Sequence, residues 1–388
     1  MARAILIILD GVGCGALPDA DRYGDADSNS LAHTAARCEG FALPNMERMG
    51  LGNIIPMESV PPVNEPTAHF GKMAEQSPGK DTTTGHWEMM GVTLTEPFPV
   101  FPDGFDRELI ERFEKAVGRK VIGNKPASGT EIINELGPRQ LQTGELIVYT
   151  SADSVFQIAA HQSVVPLEEL YHICEVARSL LTGAYQVSRV IARPYIGQPG
   201  SFERTPDRRD FSVRPPAPTL LDEILDSGME VQGVGKIDDI FAGTGFTECQ
   251  HVDSNTHGIA TIRQTMQRQF DGLLFANLVD FDMKYGHRND VHGYGRALME
   301  FDAAVPEYLA LLGSEELLFI TSDHGNDPTT FSTDHSREFV PLLVTFGHGT
   351  RGSNLGVRET FADVGATIAQ FLHLTPLSVG TSFLASLS

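Results

Sequence analysis

The sequence predicts an α/β fold: a sheet with buried parallel strands at its centre and helices on both faces, carrying an inserted α+β unit. Three observations point there. Ala4–Leu9, Leu273–Val279 and Leu317–Ser322 are short apolar runs closed by turn residues, the pattern of strands covered on both faces. Segments with apolar residues at helical spacing lie between such runs. A central stretch of different character has Pro-rich edges at 97–104 (PFPVFPDG) and 214–218 (RPPAP), as linkers often do.

In chain order, Ala4–Leu9 opens the core, whose first part is taken as 1–97. In the cap, 98–217, Arg107–Ala116 and Leu167–Leu181 read as helices, and Leu146–Thr150 and Arg189–Ala192 as strands. The core resumes over 218–388 with the strand Glu230–Gly235 and then the runs beginning at Leu273 and Leu317. Between those two, Gly293–Leu312 places Tyr294, Ala297, Leu298, Phe301, Tyr308 and Leu309 on a helical stripe that reads as core. Pro306 predicts a kink or break in it, and Asp302, away from the chemical motifs, is expected to matter little for metal binding or activity. Phe339–Phe346 adds a strand, and Thr360 with Asp363 predicts a capping box for a helix over Phe361–Leu372.

A length of 388 residues suits two domains or one large domain with an insertion, and 41% hydrophobic with 21% charged residues describes an ordinary globular chain. The formal net charge of −22 argues against nucleic acid or an anionic membrane surface as partner, and requires any anionic substrate to be held by local cations. Cys14, Cys38, Cys174 and Cys249 are scattered without CxxC spacing and read as reduced thiols. The apolar run after Met1 is too short for a signal peptide, and no run approaches a membrane span, so a cytoplasmic protein is expected.

Chemistry concentrates beyond the three apolar runs. Asp10 ends the first; Asp280-Phe281-Asp282 and His287 follow the second; Asp323-His324 and, further on, His335 follow the third. A lone Asp after a strand is usually a helix cap, but three such ends, two with His nearby, read as a metal site at the carboxyl edge of a sheet. Carboxylates without cysteine favour Mn²⁺, Mg²⁺ or Zn²⁺. Asp280, Asp327 and Asp334 lie close by and are candidates for orienting the ligand histidines. Gly79-Lys80-Asp81-Thr82-Thr83-Thr84 feeds hydroxyls into an expected helix start, which suits either a plain N-cap or an oxyanion site with a nucleophile, beside the chain's only Trp, Trp87. Arg189, Arg193, Arg204, Arg208, Arg209 and Arg214 stand against only Glu203, Asp207 and Asp210, which suits a phosphate-binding surface or a solvated loop equally. Lys236 alone reads as a surface lysine or a further phosphate contact.

The blocks DGVG (10–13), GKDTTTGHWEMMG (79–91), VDFDMKYGHRND (279–290), TSDHGNDP (321–328) and TDHSRE (333–338) resemble the phosphopentomutase family of the alkaline phosphatase superfamily. The likeness continues through IGNKPASGTEI (122–132), IVYTSADSVFQIAAH (147–161), RVIARPYIG (189–197) and GTSFL (380–384), so it spans essentially the whole chain. It implies an alkaline-phosphatase-like core sheet and an isomerase that interconverts α-D-ribose 1-phosphate and ribose 5-phosphate, with the 2-deoxyribose pair also accepted. It implies two divalent ions, Mn²⁺ foremost, one held by Asp282, His287 and His335, the other by Asp10, Asp323 and His324 with the Thr82 oxygen. Thr82 is the implied nucleophile, primed by a sugar bisphosphate activator. Ser151, Asp153 and Val155 are implied to meet the sugar, and Arg189, Ile191, Arg204, Arg208 and Lys236 to lie near the substrate phosphate and the phosphoryl path. Small sugar phosphates are the expected partners, and a monomer is expected. The alternatives are a metal-dependent phosphomonoesterase or other phosphomutase of the superfamily, and a metal-binding protein without turnover.

Overall fold

The computed structural model describes residues 2–151, 153–349 and 351–387; Ala152 of the TSADS motif lies outside them. The chain divides into two compact units, Met1–Glu96 with Pro215–Ser388, and Pro97–Arg214.

The first unit is built on an eight-stranded sheet in the order Glu248–Gln250, Glu230–Val234, Gly272–Leu278, Arg3–Leu9, Leu317–Thr321, Val340–Phe346, His69–Met73 and Asn354–Arg358. The three central runs pair in parallel, Leu9 with Leu278 and Ile8 with Thr321, so their carboxyl ends open on one edge. Val340–Phe346 runs antiparallel to both of its neighbours, which makes the sheet mixed. Alternation of side chains along each strand serves two cores. Ile5, Ile7 and Leu9 pack with Leu31, Leu298, Phe301 and Val305 on one face. On the other, Phe275 meets His86 and Phe241, and Phe319 meets Phe383.

The break expected at Pro306 and the capping box expected at Thr360 do not form, for a shared reason: distant side chains satisfy the groups on which local rules depend. The helix Val291–Leu311 runs unbroken through Pro306. Proline denies the Asp302 carbonyl its usual partner four residues on, and the Asn45 amide donates to that carbonyl instead at 2.9 Å. The Asp302 carboxylate has a structural role: it accepts from the backbone N–H groups of Asn45 and Met46 and so caps the helix Pro44–Met49, whose own N-cap residue is Leu43. No capping box forms at Thr360 either. The helix starts at Ala362, the Thr360 hydroxyl donates to Glu88 (2.7 Å), and Asp363 pairs with Arg358.

The second unit has a six-stranded sheet in the order Val121–Pro126, Leu146–Thr150, Val155–His161, Arg189–Ile196 and Glu203–Arg204, with Arg209–Ser212 also paired to Arg189–Ile196. One face carries Val148, Phe156, Ile158 and Val190, packed on Leu109 and Phe113 of the helix Arg107–Val117 and on Leu170 and Ile173 of the helix Leu167–Leu180. The other face is partly covered by Ile132 and Ile133 of the helix Gly129–Thr143, and it also carries Gln157, Arg189 and Arg193. Among the described residues, no helix is long and apolar enough to cross a membrane.

Candidate active site

At the carboxyl edge of the first unit's sheet, the Asp and His residues from the three strand ends converge. Asp282 follows Gly272–Leu278 in a π-helical turn, Phe281–Tyr285, that runs directly into the short turn carrying His287. One trio is Asp282, His287 and His335, with both Nε2 atoms 3.2 Å from Asp282 oxygens. A second centres on His324, whose Nε2 lies 3.3 Å from Asp10 Oδ1 and 3.3 Å from Asp323 Oδ2. Asp282 also falls within reach of the Asp10–His324 pair, so the two sets are contiguous. The His324 and His335 rings stack at 4.0 Å.

Backbone close approach makes this packing possible. Gly11, next to Asp10, has φ +77°, and a Cβ there would press on Asn326 and Asp282. Its N–H donates to Asp323 Oδ1 at 3.1 Å.

The imidazoles are oriented by main chain. Nδ1 of His287, His324 and His335 lies 2.6, 3.0 and 2.8 Å from the carbonyls of Thr333, Gly325 and Lys80. A carbonyl only accepts, so each Nδ1 carries the proton, and in the neutral ring each Nε2 is left as the donor atom for a metal. Asp280 and Asp327 do not bond these rings, and Asp334 accepts from the His335 backbone N–H at 2.9 Å rather than from its ring. Asp280 accepts from Asn255 N, Asp327 pairs with His33, and Asp334 with Lys80. Carboxamides fix the carboxylates: Asn277 donates to Asp10 at 2.8 Å and Asn326 to Asp282 at 2.6 Å.

Whether cations suit this cluster is answered by its buried atoms. Among the described residues, Asp10 Oδ1, Asp323 Oδ2 and His335 Nε2 are buried without a hydrogen-bond partner. Burial, with the Asp323 charge beside it, raises the Asp10 carboxyl above its ordinary range. Burial also opposes ionisation of Asp282, but the facing His335 and His287 outweigh it and hold that carboxyl well below the usual range. Three carboxylates and three imidazole nitrogens directed together, with orphaned lone pairs and no thiol, fit hard or borderline divalent ions.

The three threonines separate cleanly. Asp81 is the N-cap of the helix Thr82–Met89 and accepts from the N–H groups of Thr83 and Thr84. Thr83 is buried, and the Thr84 hydroxyl donates to Glu75 at 2.9 Å. Only the Thr82 hydroxyl reaches the cluster, 3.1 Å from His324 Nε2. The preceding loop is fixed by Arg337, which donates to Glu75 and to the carbonyls of Ser77 and Gly79. Lys80 is held between Asp25 and Asp334.

Several residues that shape the site escaped sequence reasoning. His86, one turn after Thr82, bonds the Thr82 carbonyl (2.8 Å) and lies 3.2 Å from Asp323; its i, i+4 spacing from Thr82 was the available signal. Glu88 accepts from Gln76 N, Ser77 N and Oγ, Thr360 Oγ1 and Phe361 N, tying the same helix to two loops. Asn277 and Asn326 gave no signal by residue type.

In the second unit the arginines divide. Arg208 is bidentate to Asp210 (2.7 and 2.6 Å), and Arg189 lies 3.6 Å from Asp210 and 4.0 Å from Asp153. Burial opposes ionisation of Asp210, but Arg208 and Arg189 overcome it and keep the carboxyl below its usual range. Arg193 donates to Gln157, and burial, with the like charge of Arg208, lowers it to about 10. Arg209 instead stacks on Tyr171 and Phe211. Arg204 is exposed, Val155 and Ile191 are buried in the sheet, and Ser151 and Asp153 lie at the turn before Val155–His161. Lys236 belongs to the first unit, exposed beyond Glu230–Val234.

The metalloenzyme superfamily profile matches residues 2–376. Over 384 residues the chain is 59% identical to a phosphopentomutase of Dictyoglomus turgidum, covering 99% of this chain and 98% of that protein. It is 57% identical over 383 residues to a phosphopentomutase of Thermotoga maritima, covering 98% of each. Among solved structures it is similar to a Leishmania mexicana phosphoglycerate mutase, at 12% identity and a TM-score of 0.49, covering 98% of this chain and 97% of that one.

Proposed function

This chain belongs to the phosphopentomutase family and is a phosphate-transferring isomerase, and on that premise we propose that it interconverts α-D-ribose 1-phosphate and D-ribose 5-phosphate, and the 2-deoxyribose pair, through a phosphothreonine at Thr82. The observation that carries this reading is the threonine hydroxyl delivered to the Asp–His cluster, Thr82 Oγ1 at 3.1 Å from His324 Nε2.

Asp282, His287 and His335 would hold one divalent cation, and Asp10, Asp323 and His324 the other, with Mn²⁺ the proposed ion. When bound, such a pair supplies charge stabilisation of phosphoryl oxygens and acidifies the nucleophilic hydroxyl. The chain supplies position. Asp81 and Glu88 fix the Thr82 helix, whose N-terminus favours an anion, and Arg337 keeps the preceding loop rigid.

In the proposed cycle a sugar bisphosphate activator first phosphorylates Thr82. The phosphothreonine P–O bond then breaks as O1 of ribose 5-phosphate bonds to phosphorus and releases its proton, leaving ribose 1,5-bisphosphate. The bisphosphate reorients, and Thr82 Oγ1 attacks the 5-phosphate. The O5–P bond breaks, O5 takes up a proton, and ribose 1-phosphate leaves with Thr82 phosphorylated again. Ser151, Asp153 and Val155 are assigned to the sugar, and Arg189, Ile191, Arg204, Arg208 and Lys236 to the substrate phosphate and the phosphoryl path. The Arg189–Asp210–Arg208 pairing supports a preset guanidinium surface.

Phosphorus NMR of purified protein with ribose 5-phosphate and Mn²⁺ tests this reading. Metal-dependent appearance of ribose 1-phosphate without matching free phosphate is expected. Release of phosphate as the main product would make the protein a phosphomonoesterase instead.

A further inference from the structure

Away from the Asp–His cluster, a second kind of ligand set occupies the edge of the same sheet. Cys249 lies in the edge strand Glu248–Gln250 and His251 directly follows it, two residues apart and so on one face. Next to it, Glu230–Val234 leads through Gly235 and Lys236 into the helical turn Ile237–Ile240, which carries Asp238. Asp238 Oδ2 is 3.0 Å from His251 Nε2, and ligand atoms of Asp238, Cys249 and His251 all lie within 4.8 Å of one another. Asp238 Oδ1 is buried without a hydrogen-bond partner among the described residues.

We propose that Asp238, Cys249 and His251 form a third cation site, selective for a thiophilic divalent ion of the zinc type. A thiolate, an imidazole and a carboxylate are a three-ligand zinc set with one position left for water, and the sulfur disfavours Mn²⁺ and Mg²⁺. The ligand separations need to close to roughly 3.3–3.7 Å around a tetrahedral ion, as follows from metal–ligand distances of about 2.0–2.3 Å; Asp238 and His251 are already that near. Binding displaces the Cys249 thiol proton to solvent. Partial exposure of all three side chains gives an entry path.

The site has a structural consequence. It would clamp the edge strand to the turn that carries Lys236. The same turn reaches the Thr82 helix, because the Ile240 carbonyl accepts from Trp87 Nε1 at 3.0 Å. A bound ion would therefore stiffen the segment next to the nucleophile's helix without touching the reacting groups.

The test uses Mn²⁺-loaded protein, so that the Asp–His cluster is already supplied. Added Co²⁺ should bind one further equivalent and produce a sulfur-to-metal charge-transfer band, which the cysteine-free cluster cannot give. Cys249 is the one cysteine of the four that is not buried, so its alkylation by iodoacetamide, read by peptide mass spectrometry, gives a second measure. Zinc should slow that reaction by roughly tenfold or more, as ligation removes the free thiolate. Cys249→Ser should abolish the band while Mn²⁺ content stays the same, and His251→Ala should remove zinc protection. Absence of the band in the wild type, its persistence in Cys249→Ser, or an alkylation rate indifferent to zinc would each overturn the proposal.

Discussion

Gly85→Ala tests how closely the nucleophile's helix must approach the Asp–His cluster. A Cβ on Gly85 would lie 2.1 Å from the Asp323 carbonyl oxygen, 2.9 Å from its carbon and 3.1 Å from its Cα. All three contacts are backbone, so no side-chain rotation relieves them. Real Cβ atoms essentially never approach within 3.0 Å, so the helix and the Asp323 turn must part by about 0.9 Å. Thr82 lies three residues earlier on the same helical face and moves with it. The 3.1 Å approach of Thr82 Oγ1 to His324 Nε2 then opens toward about 4 Å. Misplacement by 1 Å costs on the order of 100-fold in rate, or about 2.7 kcal/mol of transition-state stabilisation, and overpacking costs about 1–3 kcal/mol of stability. The assay is kcat/KM for ribose 5-phosphate isomerisation, normalised to folded protein from a urea titration. A folded Gly85→Ala protein with wild-type kcat/KM would show that the contact between helix and Asp323 turn does not set the site.

Three further outcomes follow from the same geometry. Asp282→Asn and Asp323→Asn each replace a charged oxygen at the cluster with a neutral one and should lower bound Mn²⁺ and activity together; full metal content by elemental analysis in both would remove the site assignment. Asp302→Ala strips a buried acceptor from the N–H groups of Asn45 and Met46 and should cost about 2–4 kcal/mol in urea unfolding, from the loss of a cap and unsatisfied donors, with kcat and metal content of the folded protein unchanged. Arg189→Ala should impair isomerisation far more than metal content or hydrolysis of a small aryl phosphate, measured side by side; equal losses would mean that Arg189 only supports the fold of its unit.

What the sequence disclosed depended on how local the governing interaction was. The central strands were legible because an apolar run buried on both faces has no competing reading once Asp closes it, and Asp10, Asp282 and Asp323 stood where parallel strands end. His69–Met73 (HFGKM) and Arg209–Ser212 (RDFS) have no apolar run and become strands only through their partners. Residue type alone left the three threonines equivalent; what separates them is the Asp81 cap, the Glu75 acceptor and the arrival of His324 from the other end of the chain. The Thr360 capping box was a sound local pattern defeated by Glu88, 272 residues away in sequence. Asn277 and Asn326 were illegible, because a carboxamide becomes an orienting group only when a carboxylate is folded against it.

The central claim is that one threonine hydroxyl carries the phosphoryl group between the two positions of the sugar. The direct measurement is to treat the Mn²⁺-loaded protein with a sugar bisphosphate, quench it, and locate phosphate by peptide mass spectrometry in the wild type, Thr82→Ala and Thr83→Ala. The account predicts stoichiometric phosphate on Thr82, none in Thr82→Ala with isomerisation abolished, and phosphate with substantial turnover retained in Thr83→Ala. Phosphate on Thr83 or Thr84, or sustained isomerisation by Thr82→Ala, would contradict it.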